Sequence, residues 1–257
     1  VKSFVPAWLS GILGRKNVAA ATGGTDLSPS LMWEEVLAPA GRERGRTEIT
    51  PGEIEATCAA LGAALTKADL LAALARALAL YSVTDIEAMV RNFERKTETL
   101  DPAYRRRLVP KVREETVGAY HDLLLLCREG EVPEGLVAAD LPAYAAMVAE
   151  ACRTRVQAGK AVDLFFLKYI LATFTMYVRG RPAHPPGTPF PGGLEVYEEG
   201  GEYYCPVREK EGDVPYSLCP FCPARQDTGS RALHGAGAEE RIEKRGIIEE
   251  SRRNYHG

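Results

Sequence analysis

Apolar side chains recur at helical spacing through the middle of the chain. Ile54, Cys58, Leu61 and Leu65 fall four, three and four residues apart, which is one face of a helix. Thr50 is placed to cap that helix, Pro51 suits its first position, and Glu53 completes a capping box. Residues 67–80 predict a second helix rich in Ala and Leu. Thr84 and Glu87 read as another capping box, opening a helix through Ile86, Val90 and Phe93. Asp101-Pro102 starts the next helix, which Pro110 is expected to kink or divide. Val112, Thr116, Tyr120, Leu124 and Cys127 continue its stripe. Residues 130–140 read as a loop, and 141–156 as an amphipathic helix through Ala145, Val148 and Cys152. The longest apolar run, AVDLFFLKYILATFTMYV at 161–178, has membrane-like length, but Asp163 and Lys168 sit inside it. Each charge costs about 2.5–3.5 kcal/mol at the centre of a membrane helix. The predicted element is therefore a buried core helix ending at Gly180, and no membrane association is expected.

Beyond Gly180 the pattern changes. Residues 181–193 read RPAHPPGTPFPGG, with five prolines and three glycines, and no helix survives that composition. Two short β-prone runs follow in LEVYEEGGEYYCPV. They flank Gly200-Gly201, which predicts a tight hairpin with Cys205 at the end of its second strand. The expected fold is mainly α: a multi-helix domain of six or seven helices carrying a small C-terminal β-hairpin with a cysteine metal knuckle. Its expected divisions are an irregular N-terminal extension at 1–48, the helical domain at 49–180, the Pro/Gly-rich segment with the knuckle at 181–228, and a charged helical tail at 229–257.

Composition narrows the function classes. The chain has 257 residues, is 46% hydrophobic and 26% charged, and carries a formal net charge of -3. A real core can form, and global disorder is excluded. A generic polyanion binder would be more basic, so nucleic acid is not the expected partner. Arg105, Arg106, Arg107, Lys111 and Arg113 make one local basic cluster, read as a solvated helix face because Tyr104 is its single aromatic neighbour. Residues 1–14 hold no clean apolar run, since Pro6, Ser10 and Gly11 interrupt it, so they do not read as a secretory signal. The expected compartment is the cytoplasm, where clustered cysteines read as metal-binding or catalytic rather than as a disulfide.

The six cysteines divide in two. Cys58, Cys127 and Cys152 sit on apolar helix stripes, where a free thiol acts as a small hydrophobe. Cys127, near its helix end, is the best placed of these to join another cluster. Cys205, Cys219 and Cys222 form the pattern C-x13-C-x2-C, and each is followed by proline. A C-x2-C step turns two sulfurs toward one ion, and a hairpin delivers the third. Zinc prefers four ligands. His184, Asp213, a water or a ligand from another segment are the candidates for the fourth. An iron–sulfur cluster is the close rival, since Cys-Pro occurs in bacterial cluster motifs, although the spacing matches neither ferredoxin pattern. Cys219-Pro220-Phe221-Cys222 also resembles the dithiol of glutaredoxins, which start a helix with that motif; the βαβ context of that family is missing. Three functional readings follow: a metal-binding protein, a cluster-dependent or thiol-redox enzyme, and a helical adaptor for a protein partner or RNA.

Phe190-Pro191-Gly192-Gly193, Tyr203-Tyr204-Cys205-Pro206-Val207, Cys219-Pro220-Phe221-Cys222 and Gln226 carry a family resemblance. From about Tyr81 to Gln226 the chain resembles domain of unknown function 2115, also called UPF0305, found mainly in methanogenic archaea. The resemblance implies an archaeal, cytoplasmic and anaerobic setting, in which an oxygen-sensitive cluster is better tolerated. It leaves residues 1–80 and the tail after 228 as additions.

Overall fold

The computed structural model describes residues 49–130, 133–190, 193–212 and 214–228. The expected extension at 1–48 and the expected helical tail at 229–257 lie outside the described residues. Among them are six α-helices: α1 (Pro51–Gly62), α2 (Lys67–Leu78), α3 (Val83–Lys96), α4 (Pro102–Glu129), α5 (Leu141–Gln157) and α6 (Asp163–Thr173). Five short strands follow: β1 (Pro189–Phe190), β2 (Leu194–Glu195), β3 (Tyr197–Glu199), β4 (Glu202–Cys205) and β5 (Arg225–Gln226). The fold is mainly α, with its small strands at the C-terminal end.

Local chemistry sets most helix starts. The Thr50 hydroxyl accepts from the Glu53 N–H at 3.2 Å, and the Glu53 carboxylate accepts from the Thr50 N–H at 2.8 Å. Thr66 and Asp69 form the same reciprocal box at the start of α2. At α3 the box falls two residues earlier than Thr84 and Glu87 suggest. Ser82 is the cap, and the Asp85 carboxylate accepts from its N–H at 2.8 Å and its hydroxyl at 2.7 Å. The physical reason is an anchor next door: the buried Tyr81 donates its hydroxyl to the Asp163 carbonyl at 3.0 Å, fixing where the chain enters the helix.

Three further expectations are corrected. α1 stops at Gly62, so Leu65 leaves the apolar face and is 74% exposed. Pro110 does not divide α4, which runs unbroken through it. Pro110 and Arg106, whose carbonyl loses its usual N–H partner, are both solvent-exposed, so water can satisfy the carbonyl. The apolar run at 161–178 is not one α-helix: α6 ends at Thr173 and a buried π-turn, Phe174–Val178, closes with the Arg179 N–H on the Phe174 carbonyl at 3.1 Å.

One apolar core joins all six helices. Leu61, Leu70, Leu74, Leu123, Leu141, Tyr144, Phe166, Tyr169 and Phe174 are fully enclosed in it. Cys58, Cys127 and Cys152 are packed in the same core, as expected for small hydrophobes. Burial pushes each of the three thiols up to about 12. α1 and α5 approach closely at Gly62, where a Cβ would stand 3.3 Å from the Ala145 Cβ. Two small sheets follow. β1 pairs antiparallel with β2, and β3–β4–β5 form a second sheet, with β3 and β4 antiparallel and β4 and β5 parallel. The predicted hairpin turn is present: Gly200 and Gly201 take φ of 61° and 81°, conformations that favour glycine.

Because Pro110 is solvent-exposed and interrupts the α4 ladder, Pro110→Ala should raise stability by up to about 3 kcal/mol. Urea unfolding measures this, and an unchanged or lower midpoint would show that the proline is required.

Candidate functional site

The chemistry-bearing residues after Gly180 gather at the C-terminal end of β4. Cys205 is buried there, beside the backbone N–H groups of Val207 and Arg208, which favour its thiolate. The chain passes through a short 3-10 turn at Glu209–Glu211, then returns to a second one at Cys219–Phe221. That second turn is closed by the Cys222 N–H on the Cys219 carbonyl at 3.2 Å. β5 then pairs with β4, setting Gln226 opposite Cys205. A small apolar cluster of Val196, Cys205, Val207 and Ala224 forms the knuckle's own core, with Cys222 packed against it.

Two polar side chains brace this arrangement. Arg208 donates its Nε to the Cys222 carbonyl at 3.4 Å and a terminal nitrogen to the Pro220 carbonyl at 3.5 Å. Gln226 accepts from the Glu209 N–H at 2.8 Å and donates to the Pro206 and Asp227 carbonyls at 3.2 and 3.0 Å. Each therefore ties one cysteine loop to the other. Burial pushes the Cys205 thiol up to about 11 and raises that of Cys219; the sulfurs also repel one another's charge, while Ser217 and Arg208 pull Cys219 back. The raised Cys219 thiol and the β-strand that follows Cys222 do not match a dithiol at a helix N-terminus.

Cys205, Cys219, Cys222 and His184 line one small cavity of about 20 Å³. The Pro-rich segment thus folds back over the knuckle, and the His184 ring stands edge-on to Phe190 with centroids 5.7 Å apart. Among the described residues, no three His, Cys, Asp or Glu side chains are drawn together closely enough to hold a metal ion. Asp213, the other named candidate for a fourth ligand, lies outside the described residues. Cys127 belongs to the helical core and does not line the small cavity.

A second, larger cavity of about 460 Å³ lies between the helices and the knuckle. Cys219 and His184 line this space as well, together with Tyr216, Leu218 and Glu211. Its helical wall includes Phe93, Glu115, Leu164, Phe165, Lys168, Leu171 and Thr175. Thr175 comes from the π-turn and donates to the Glu115 carboxylate at 3.2 Å. Burial raises Glu115, partly offset by that bond and by Arg181. Lys168 is pulled down to about 8, first by burial and then by the charges of Lys96 and Arg155. Sequence reasoning noted Lys168 only as a charge inside an apolar run; a half-buried lysine facing two other cations leaves no local sequence signal. The basic cluster is largely engaged within the chain: Arg107 meets Glu195 at 3.1 Å, Arg113 meets Glu94 at 2.8 Å, and Lys111 meets Glu114 at 3.6 Å. Among the described residues, no helix is long and apolar enough to cross a membrane.

A family model described as an uncharacterized protein conserved in archaea, DUF2115, matches residues 66–227. The match begins at the cap of α2, so residues 66–80, expected to be an addition, lie inside it. A UPF0305 protein of Methanothermobacter thermautotrophicus is 57% identical over 53 residues, 21% of this chain and 34% of that protein. A UPF0305 protein of Methanopyrus kandleri is 44% identical over 64 residues, 25% of this chain and 45% of that protein. One from Methanocaldococcus jannaschii is 39% identical over 56 residues, covering 22% and 34%. The chain thus spans less than half the length of these relatives. No solved structure matches.

The lysine generates a signed pH prediction. Its pKa falls from 10.5 unfolded to about 8 folded, so between those pH values the unfolded chain binds more protons. The destabilisation is full below pH 8 and is relieved as pH rises toward 10.5. Lys168→Met should therefore raise the unfolding midpoint at pH 7, by an amount that shrinks between pH 8 and 10. A gain independent of pH would show that packing, not charge, causes it.

Proposed function

The chain belongs to the DUF2115 family of archaeal proteins, and on that premise we propose that it is a metal-binding protein whose knuckle holds one ion on Cys205, Cys219 and Cys222. The observation that carries this reading is the shared cavity. Three thiols from two loops, and the His184 ring from a third segment, line a single space of about 20 Å³. That is room for roughly one water-sized body, hence for one ion rather than a four-iron cube. Zinc is the metal that the donor set favours, with three thiolates and the imidazole as its four ligands.

The surroundings support thiolates once an ion is there. The Val207 and Arg208 N–H groups favour a Cys205 thiolate, and Arg208 adds positive charge beside Cys219. Without an ion, burial keeps Cys205 and Cys219 protonated; with one, the thiols lose their protons and their side chains close onto it. Binding free energy becomes folding free energy for the knuckle. Its own core of Val196, Cys205, Val207 and Ala224 is too small to hold it without a staple. Zinc here supplies a cross-link between the hairpin and the Cys219–Cys222 turn.

Purification without oxygen, followed by metal analysis and a visible spectrum, tests the reading. One zinc per chain without colour is expected. Brown protein with iron and sulfide would replace zinc with a cluster, and no retained metal, even after zinc is added, would overturn both. Cys205→Ser should abolish retention, and His184→Ala should weaken it, because water can take the fourth position. Retention should fall as the pH is lowered, since protons compete for the thiolates.

A further inference from the structure

We propose that the 460 Å³ cavity binds a small amphipathic organic anion, with an apolar body and a carboxylate or phosphate head held by Arg155 and Lys168. The two cations come from two helices, α5 and α6, and both line this one cavity, as does Lys96 of α3. The Arg155 guanidinium stands 4.6 Å from the Phe165 ring centroid, and the Lys168 ammonium stands 4.7 Å from the same centroid. Lys168 is also 4.4 Å from the Tyr169 ring. Arg155 is fixed there by its Nε, which donates to the Ala161 carbonyl at 2.6 Å.

Like charges do not gather at an apolar wall without a counter-charge. Among the described residues, neither Arg155 nor Lys168 forms an ion pair with a carboxylate. Burial first, and then the neighbouring cations Lys96 and Arg155, make Lys168 more acidic. Ring faces stabilise a cation only modestly, whereas an anionic head group would neutralise both at once. Two carboxylates do line the cavity, Glu115 and Glu211, and neither forms an ion pair with Arg155 or Lys168. Glu115 is set beside Arg181 and bonded by Thr175, so its charge is already directed elsewhere.

The rest of the wall defines the ligand's body. Phe93, Leu164, Leu171 and Ala172 give an apolar lining beside the cationic end. The volume lies within the range of small-molecule sites, about 300–1,000 Å³. The inference does not rest on the metal reading, because neither cation belongs to the knuckle.

Isothermal titration of the full chain with octanoate, octyl phosphate, octanol and octylamine tests it. At least one of the anions should bind saturably at one per chain, with octanol about tenfold weaker and octylamine weaker still. The tighter anion identifies the head group. Lys168→Met should weaken the anion about tenfold while leaving octanol unchanged, and Lys168→Arg should restore the anion. Arg155→Gln provides a second charge deletion with the same expected direction, and far-UV circular dichroism confirms that each variant is folded. Equal affinity for all four probes would reduce the cavity to an apolar trap and overturn the proposal. So would the absence of saturable anion binding, or undiminished anion binding in folded Lys168→Met.

Discussion

The contact on which the C-terminal third depends is the insertion of Phe221 against Tyr144. Phe221 lies between the two cysteines of the Cys219–Cys222 turn, and its ring meets the Tyr144 ring edge-on at 5.4 Å. Tyr144 is fully buried, donates its hydroxyl to the Tyr169 carbonyl at 3.0 Å and accepts from Thr173 at 3.3 Å. Such an aromatic pair contributes about 0.5–1.5 kcal/mol beyond the area it buries. The link continues outward: the Tyr169 hydroxyl donates to the Tyr216 carbonyl at 3.0 Å, and the Tyr216 hydroxyl meets that of Thr154 at 2.9 Å. Tyr216 adopts φ of 61°, a left-handed conformation that costs energy for a residue with a Cβ. These two hydrogen bonds hold it there. The knuckle, with little core of its own, borrows rigidity from the bundle at this edge, and the Tyr104 hydroxyl on the Pro189 carbonyl and the Arg107–Glu195 pair add ties to α4.

The same docking explains why two cavities share a wall. The knuckle touches the helices through Phe221, Leu218 and Tyr216, and it leaves the space beside those contacts unfilled. On the knuckle side the space is small and lined by sulfur and imidazole. On the helical side it is large, apolar and edged by cations. His184 and Cys219 belong to both linings, so an ion on the knuckle would sit in the wall of the larger cavity. Lys168 stands in that wall with its pKa lowered by burial and by the cations beside it, so the expected cost falls on stability. Residues retained against stability are more often there for binding or chemistry than for folding.

How much of this was legible in the sequence depended on the range of the interaction. The Thr50–Glu53 box, the amphipathic helix ending near 156 and the Gly200-Gly201 hairpin are set by neighbours within a few residues, and each is where periodicity and capping rules place it. The α3 start was not, because Ser82–Asp85 and Thr84–Glu87 offer overlapping boxes and a distant bond from Tyr81 to Asp163 decides between them. Pro110 misled for a similar reason: an interior proline normally stops a helix, but on an exposed face its cost is tolerable. At the site, the C-x2-C step and its hairpin partner were readable, since their spacing is the signal. The convergence of Lys96, Arg155 and Lys168 was not, because no local pattern relates residues on three different helices.

The central claim is that the sulfurs of Cys205, Cys219 and Cys222 close onto a single ion. X-ray absorption at the zinc edge of the zinc-loaded full chain measures the ligand shell directly. The account predicts three sulfur neighbours at about 2.3 Å and one nitrogen at about 2.0 Å, with no metal scatterer nearby. A shell of oxygen and nitrogen atoms without sulfur would contradict it.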